Sequence, residues 1–192
     1  WEDCAAEAAL DEADREGVRR CGGEEGAGPA GPVDLGDGFS LRPFRDAADA
    51  EACAALMAGS EPWRTLGRDR AALVASLRTP GPERYLAERD GGCAGLLVLN
   101  LRGAFVGYLQ TVAVAEQFRG RGLGTALVGF AEARILRDHP NVFLCVSDFN
   151  PGARRLYERL GYTVVGELPD YLVRGRGEIL MRKSRGPLLG DG

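Results

Sequence analysis

The sequence contains one lysine and one histidine among 192 residues, and both scarcities limit the chemistry open to the chain. A Walker-type phosphate loop requires a lysine directly after its last glycine. The only lysine, Lys183, lies near the C-terminal end and follows no such loop. The only histidine, His139, precedes a proline between two periodic segments, which disfavours a hydrolase triad. Walker-type nucleotide binding and triad hydrolysis are therefore both disfavoured.

The five cysteines are scattered and form no C-x-x-C pair. This pattern argues against a disulfide framework and against a zinc site, so the sequence predicts no metal and a reducing, cytoplasmic compartment. No apolar run approaches the roughly 20 residues of a membrane span, and the acidic N-terminal stretch is unlike the basic start of a signal peptide. The net charge of −4 gives no electrostatic reason to expect nucleic acid or an anionic membrane as partner.

The length fits one domain with a single core. Residues 1–20 are rich in Ala, Glu and Asp, and residues 21–38 are mostly Gly, Pro and acidic residues. Residues 1–38 are therefore predicted to be a flexible or weakly helical leader followed by a Gly/Pro linker. The folded domain is predicted to span 39–184, and 185–192 to form a tail.

Hydrophobic periodicity, caps and turn residues predict a mixed α/β fold with the order β-α-α-β-β-β-α-β-α-β-β. The predicted strands lie over 39–44, 84–89, 93–100, 105–114, 142–146, 162–168 and 178–183, and the predicted helices over 47–57, 68–77, 123–138 and 151–160. Asp90-Gly91-Gly92 predicts a hairpin between two of the strands. The strand at 142–146 follows the central strand across a helix, so the two are expected to run parallel.

The stretch from Phe105 to Ala133 passes from an apolar strand through an Arg/Gly-dense loop into a helix. At a helix N-terminus the first backbone N–H groups lack intrahelical partners and the peptide dipoles favour an anion. Glycines that leave these amides accessible and arginines that add charge suit a phosphate ligand, namely Gly120, Gly122, Gly124, Arg119 and Arg121. The G-x-G-x-x-G dinucleotide fingerprint fails because Thr125 or Leu127 stands where its third glycine is needed.

Two motifs of this sequence lie on either side of the predicted strand at 142–146. Arg119, Gly122 and Gly124 match the pattern [QR]-x-x-G-x-[GA], and a register starting at Gln117 also matches it. The run from Asn150 to Tyr162, NPGARRLYERLGY, matches N-x-x-[AS]-x-x-[LF]-Y-x-x-x-G-[FY]. These motifs resemble the acyl-CoA motif and the second motif of the GNAT (GCN5-related N-acetyltransferase) family and occur in the family's order, and the resemblance covers roughly 39–183.

The resemblance implies a GNAT fold, with a central mixed, mostly antiparallel sheet of about seven strands and about four flanking helices. In that fold the central strand and the 142–146 strand run parallel but splay apart, and the pantetheine arm of the cosubstrate acetyl-CoA enters the gap. A backbone N–H near Val112 is expected to polarise the thioester carbonyl. The residues expected at acetyl-CoA are Val112, Ala113, Val114, Arg119, Gly120, Arg121, Gly122, Leu123, Gly124, Thr125, Asn150 and Tyr157.

The resemblance assigns the catalytic roles to Tyr157 and Asn150. Tyr157 is expected to protonate the departing CoA thiolate, and Asn150 to cap its helix and to contact pantetheine or an ordered water. Ribosomal-protein acetyltransferases of the family place a glutamate on the strand before the second motif, and Cys145 stands at that position here. The alternatives for the general base stay open: Asp148, Glu116, Glu61, Asp170, or a water chain past Gln110 and Ser147.

The acceptor side of related enzymes is flanked by the elements that correspond to the loop 59–67 and the final hairpin. Trp63, Asp170 and Tyr171 are therefore predicted to select a cationic or aromatic-bearing amine. The predicted reaction is direct transfer of an acetyl group, in a ternary complex, to a primary amine of a small molecule, a peptide N-terminus or a lysine.

Other functions fit the sequence less well. A CoA-binding sensor or interaction module without catalysis is favoured by the missing glutamate and disfavoured by Tyr157 and Asn150. RNA binding through the R-G-R-G runs at 119–122 and 174–177 is weak, because stacking aromatics are not interleaved with them. Many relatives dimerise, so a homodimer is the expected assembly.

Overall fold

The computed structural model describes residue 29 and residues 31–189, so the predicted leader over 1–20 and most of the predicted linker lie outside the described residues. The strands are β1 (Val33–Gly36), β2 (Phe39–Pro43), β3 (Glu83–Arg89), β4 (Gly92–Asn100), β5 (Tyr108–Val114), β6 (Asn141–Ser147), β7 (Thr163–Pro169) and β8 (Gly177–Ser184). The helices are α1 (Ala47–Ala58), α2 (Arg70–Arg78), α3 (Leu123–Leu136) and α4 (Pro151–Arg159), with a short 3₁₀ helix at Glu116–Phe118. None of these helices has the length and apolar character needed to cross a bilayer.

One sheet contains all eight strands found in the described residues, in the order β1-β2-β3-β4-β5-β6-β8-β7. Every neighbouring pair is antiparallel except β5 and β6, which are parallel. The predicted mixed, mostly antiparallel sheet with one parallel pair is confirmed. The predicted element order is confirmed from β2 onward.

β1 lies inside the stretch for which a linker is predicted, and it raises the strand number from about seven to eight. It forms a hairpin with β2 through Asp37 and Gly38, whose φ angles are 55° and 76°. Positive φ at both central residues is the geometry of a type I′ turn, for which Asp-Gly is a favoured dipeptide. The Gly-rich and acidic composition of this stretch does not predict a strand, yet Leu35 of β1 packs against the core.

The central strand starts later than predicted. Residues 101–107 form a turn, β5 begins at Tyr108, and Phe105 is 47% exposed. Gly103 and Gly107 have φ angles of 106° and 82°, which a strand does not adopt, so the apolar run does not become strand along its whole length.

β5 and β6 pair at a single position, Tyr108 with Phe143, and Phe143 N donates to Gly107 O at 3.0 Å. Farther along, β5 stays paired with β4, and β6 stays paired with β8 as far as Ser147. A bulge at Gln110 follows the last contact between β5 and β6. Because bulges bend the strand that contains them, the two parallel strands separate at this point.

The helices cover both faces of the sheet and form two apolar cores. On one face α1 and α2 pack over β3 and β4 around Leu73, Leu86 and Leu96. On the other face α3 and α4 pack over the sheet, with Leu127 from α3 and Tyr157 from α4 in the same cluster. Both layers meet the gap between β5 and β6, so helices from each side help to enclose it.

A buried ion-pair network fixes α1 to the sheet. Arg42 on β2 donates to both carboxylate oxygens of Asp49 on α1, at 2.7 and 2.8 Å, and to Glu88 on β3 at 2.7 Å. The hydrogen bonds from Arg42 lower the pKa of Asp49. Removing one partner of a buried pair typically costs about 3–5 kcal/mol, so this network holds α1 and the Trp63 loop that follows it in position.

Substitution of Gly107 tests the junction of β5 and β6. A Cβ at Gly107 would lie 2.5 Å from Asn141 O, whereas a Cβ at Gly103 would meet no atom within 4 Å. Both residues have positive φ, so Gly103→Ala measures the backbone strain without the clash. We expect Gly107→Ala to lower the free energy of unfolding by about 1–3 kcal/mol more than Gly103→Ala. Urea denaturation of both variants measures the difference, and equal stability would contradict the close approach at this junction.

Candidate active site

The Arg/Gly loop brings uncapped backbone amides to the gap between β5 and β6. α3 begins after Gly122, which has a φ of 82°, and no side chain caps the first turn of the helix. Gly120 also has positive φ, at 75°. The first N–H groups of α3 are therefore left for a ligand, as the sequence predicts for a phosphate site.

A first cavity of about 660 Å³ opens between this loop, the end of β5 and α4. Ten of the twelve residues predicted to bind acetyl-CoA line it: Val112, Ala113, Val114, Arg119, Gly120, Gly122, Gly124, Thr125, Asn150 and Tyr157. The other two side chains lie elsewhere. Leu123 is in the core, 2% exposed, and the Arg121 guanidinium lies 5.9 Å from the centre of the Phe118 ring. Leu123 can thus contribute only its backbone to a ligand in this cavity.

A second cavity of about 540 Å³ lies on the α1 and α2 side of the sheet. The side chains around it are mainly apolar and aromatic, and they come from α1, the loop that carries Trp63, α2, β4, β5, β6, α4, β8 and the β7–β8 turn. Six residues line both cavities: Pro62, Trp63, Val112, Asn150, Ala153 and Tyr157. Two ligands, one in each cavity, would therefore meet at these residues.

Asn150 and Tyr157 are brought to this meeting point by α4. The Asn150 side chain accepts a hydrogen bond from Ala153 N at 3.2 Å, Pro151 occupies the first helical position, and Gly161 follows the helix with a φ of 89°. The predicted cap is confirmed. Tyr157 is 8% exposed, and burial raises its pKa to about 12. Its phenol is therefore protonated at neutral pH and can donate a proton or a hydrogen bond.

Two of the carboxylates considered as general base are engaged in the β7–β8 region. Asp148 accepts a hydrogen bond from Gly177 N at 2.8 Å, and Asp170 accepts one from Gly175 N. Neither side chain lines either cavity. Both carboxylates stabilise the conformation of the hairpin and its surroundings, and the structure does not bring them to the point where the cavities meet.

Of the remaining candidates, all but Glu116 line one of the two cavities. Glu116 is exposed on the 3₁₀ helix and lines neither of them. Glu61 lines the first cavity, is exposed, and accepts a hydrogen bond from Thr65 N at 3.2 Å. Gln110 and Ser147 both line the second cavity.

Cys145 lines the second cavity, as its position in the second strand of the parallel pair indicates. Burial raises the pKa of its thiol, so the thiol is neutral at physiological pH. A neutral thiol is a poor nucleophile and a poor proton acceptor. Cys145 therefore does not replace a carboxylate base.

Glu178, the second residue of β8, lies outside the set of predicted site residues. Glu178 is 5% exposed, lines the second cavity, and accepts a hydrogen bond from Ser147 Oγ at 2.6 Å. Burial raises its pKa, the charge of Asp148 raises it further, and the hydrogen bond from Ser147 lowers it. A carboxylate directly before the apolar run Ile179–Met181 of a predicted strand is uncommon, and this is the signal that could have identified it.

The predicted acceptor residues are partly brought together. Trp63 lines both cavities, and Tyr171 lines the second together with Leu172 and Val173. Asp170 is one residue outside this group and bonds within the hairpin turn. Within the described ranges, no three His, Cys, Asp or Glu side chains are grouped so as to hold a metal ion.

The chain is similar to known acetyltransferases. It is 34% identical over 111 residues to an uncharacterised N-acetyltransferase of Methanocaldococcus jannaschii, covering 55% of this chain and 70% of that protein. It is 31% identical over 152 residues to the N-alpha-acetyltransferase RimI of Mycobacterium tuberculosis, covering 72% of this chain and 89% of that protein.

Solved structures share the fold. An aminoglycoside 6'-N-acetyltransferase complexed with coenzyme A matches with a TM-score of 0.61 at 19% identity, covering 77% of this chain and 97% of that one. The model of the acetyltransferase (GNAT) family matches residues 47–162, a range that contains the Arg/Gly loop, both strands of the parallel pair and all of α4. Because this model matches more than half of the chain, and because the chain is 31% identical to RimI over 152 residues, the chain belongs to the GNAT acetyltransferase family.

Proposed function

We propose that this protein is an acetyl-CoA-dependent N-acetyltransferase whose acceptor is the α-amine of a peptide. Acetyl transfer to an amine is the activity of the family, and the similarity to an N-alpha-acetyltransferase over 72% of the chain supports the narrower choice of acceptor. The observation that carries the proposal is the meeting of two cavities at Val112, Asn150 and Tyr157. Direct transfer requires a donor and an acceptor to be bound together, with their reacting atoms in contact.

The first cavity suits acetyl-CoA. Uncapped amides at the start of α3 and the nearby Arg119 favour the diphosphate. The outer edge of β5 after Tyr108 is not paired with β6, so Val112 has backbone groups available to the amides of pantetheine, whereas Val114 O accepts a hydrogen bond from Arg119 Nε at 3.3 Å. This mode of recognition depends on the backbone more than on side chains.

The chemistry at the meeting point uses two polar groups of this chain. A backbone N–H near Val112 would stabilise the negative charge that develops on the thioester oxygen during attack. The Tyr157 phenol, protonated at neutral pH, would donate to the sulfur as the C–S bond breaks. Tyr157 is 8% exposed, so burial limits the access of water to its phenol.

The second cavity suits an amine attached to an apolar group. Trp63, Leu66, Tyr171 and Leu172 offer apolar and aromatic contacts, and a peptide could enter between the Trp63 loop and the β7–β8 turn. Trp63 and Tyr171 would thus contact the acceptor. Asp170 would instead stabilise the β7–β8 turn through its hydrogen bond with Gly175 N. The cytoplasmic location and the homodimer stay predictions.

An acceptor panel tests the proposal directly. We expect the protein to release CoA thiol and to add one acetyl mass to a peptide with a free α-amine and an apolar first residue. An N-terminally blocked peptide containing lysine and an aminoglycoside should react at least about tenfold more slowly. Thiol release and mass spectrometry measure both results. Tight acetyl-CoA binding without thiol release from any acceptor would instead favour the sensor module.

Replacement of Tyr157 tests its role at the sulfur. We expect Tyr157→Phe to lower kcat about 100-fold or more, because general acid assistance is typically worth 10²–10⁴-fold, and to leave the acetyl-CoA Kd within about twofold. Tyr162→Phe is the matched control, since Tyr162 packs edge-on against Tyr157 at 5.7 Å but lines neither cavity. Equal losses of kcat in the two variants would indicate a packing role. Stopped or continuous thiol assays give kcat, and titration calorimetry gives the acetyl-CoA Kd.

A pair of arginine variants tests the placement of the diphosphate. Arg119 lines the first cavity, whereas Arg121 lies against Phe118 and does not line it. We expect Arg119→Ala to raise the CoA Kd about tenfold and Arg121→Ala to change it by less than about threefold, because a hydrogen bond to a charged group contributes about 1.5–3 kcal/mol. Titration calorimetry at two salt concentrations measures both, and the reverse order would place the diphosphate elsewhere on the loop.

A further inference from the structure

The second cavity contains one buried carboxylate that neither the motifs nor the family match assigns. Glu178 lies opposite Ser147 in the antiparallel pairing of β6 and β8, and it is 5% exposed. It lines the cavity that Tyr157 also lines. A charged side chain is rarely buried without a partner, so its presence at this position requires an explanation.

The contacts of Glu178 leave half of the carboxylate for a ligand. Ser147 Oγ donates to Oε1 at 2.6 Å, and Oε2 has no hydrogen-bond partner among the described residues. No arginine or lysine of the described residues pairs with Glu178, whereas Asp49, the other buried carboxylate among them, pairs with Arg42. A cationic ligand in the cavity would supply the missing charge.

The cavity of Glu178 holds one cationic side chain, Arg68, and no hydrogen bond or ion pair joins it to Glu178 within the described part of the chain. The titratable groups facing Glu178 or sharing its cavity are Asp148 and Cys145 of the β6 segment, Tyr108 of β5, Tyr157 of α4, Tyr171 of the β7–β8 turn and Arg68 before α2. Burial raises the pKa of Cys145 and of Tyr108, so both are neutral at pH 7. Asp148 is an anion, which makes the region more attractive to a cation.

We infer that Glu178 binds the ammonium of the acceptor and accepts its proton before the amine attacks the thioester, with Ser147 holding the carboxylate in place. This role rests on the proposed acetyl transfer. It assigns the general base to β8, whereas the sequence analysis sought that base on β6 and in the neighbouring loops. The acceptor class that fits is a primary amine carried on an apolar or aromatic group, because Trp63, Tyr171 and Leu172 line the same cavity.

The protons balance with this assignment. The acceptor enters as R–NH₃⁺, and the Glu178 carboxylate takes one proton, directly or through one water. The nitrogen then bonds to the thioester carbonyl carbon, the C–S bond breaks, and the electron pair leaves on sulfur. Tyr157 gives its proton to the sulfur and is reprotonated by the proton lost from the new amide nitrogen. The proton on Glu178 returns to solvent when the product leaves.

The surroundings of Glu178 shift its pKa in a direction that suits proton transfer from an amine. An ordinary carboxylic acid has a pKa of about 4.3, far below the 7.7–8.0 of an α-amine. Burial and the charge of Asp148 raise the pKa of Glu178, which brings it closer to that of the amine and makes proton transfer less unfavourable. The hydrogen bond from Ser147 acts in the opposite direction and lowers the pKa of Glu178.

Glu178→Gln tests the inference, because glutamine keeps the size of the side chain and can still accept the hydrogen bond from Ser147. With the preferred peptide of the acceptor panel, we expect kcat to fall about 100-fold or more and the acetyl-CoA Kd to change less than twofold. Glu167→Gln is the matched control, since Glu167 is an exposed glutamate on the adjacent strand and pairs with Ile179. The control should retain full activity.

The pH profile separates a base from a structural residue. The wild-type kcat should fall on the acid side as Glu178 is protonated. Ser147→Ala removes the interaction that lowers the pKa of Glu178, so the acid limb should move to higher pH. Glu178→Asp should retain an acid limb at a reduced rate, and its melting temperature and that of Glu178→Gln report whether the fold is intact.

Each outcome decides a different point. Full activity of Glu178→Gln, or an acid limb unchanged in Glu178→Gln and Ser147→Ala, overturns the role of Glu178 and leaves the proposed acetyl transfer intact. A wild-type protein that binds acetyl-CoA but acetylates no acceptor overturns the proposed function, and the assignment of Glu178 with it. A large loss of kcat in Glu178→Gln with unchanged acetyl-CoA binding and a displaced acid limb in Ser147→Ala supports both.

Discussion

The separation of β5 from β6 after one paired position is the constraint on which the rest of the site depends. Each strand is held on its other edge, β5 by β4 and β6 by β8, so the gap cannot close without breaking those ladders. The backbone groups facing the gap must then find partners outside the sheet. The loop before α3 and the first turn of α4 lie at the open end of the same gap, which is why the two motifs meet there.

Those parts of the site that depend on local chain geometry could be predicted from the sequence. Gly122 precedes a helix and has positive φ, Asn150 caps the next helix, and Asp90-Gly91 forms a turn with φ of 51° and 75°. Each requires only a residue type in its immediate context. Asp37-Gly38 is a dipeptide of the same kind and indicates the turn between β1 and β2. The positive φ of Gly107 prevents the predicted strand from beginning at Phe105.

The pairing of distant strands could not be predicted from local patterns. Glu178 and Ser147 are 31 residues apart, and they meet only because β6 and β8 pair in one register. A shift of one residue would turn the side chain to the other face of the sheet. The motif likewise identifies the residues of the loop before α3 but does not indicate which of their side chains face the cavity. In the structure Leu123 lies in the core and Arg121 lies against Phe118.

The tip of the β7–β8 hairpin exposes apolar surface that the rest of the fold does not cover. Tyr171 is 62% exposed, Leu172 53% and Val173 36%. An acceptor that enters beside this tip would remove hydrocarbon from water, which would give this part of the association a negative heat-capacity change and a contribution that weakens on cooling. The apolar contacts of the acceptor would thus depend on hydration, whereas the contacts to its ammonium and to the anionic cosubstrate would depend on electrostatics. Temperature and ionic strength would therefore act on different contacts of the same enzyme.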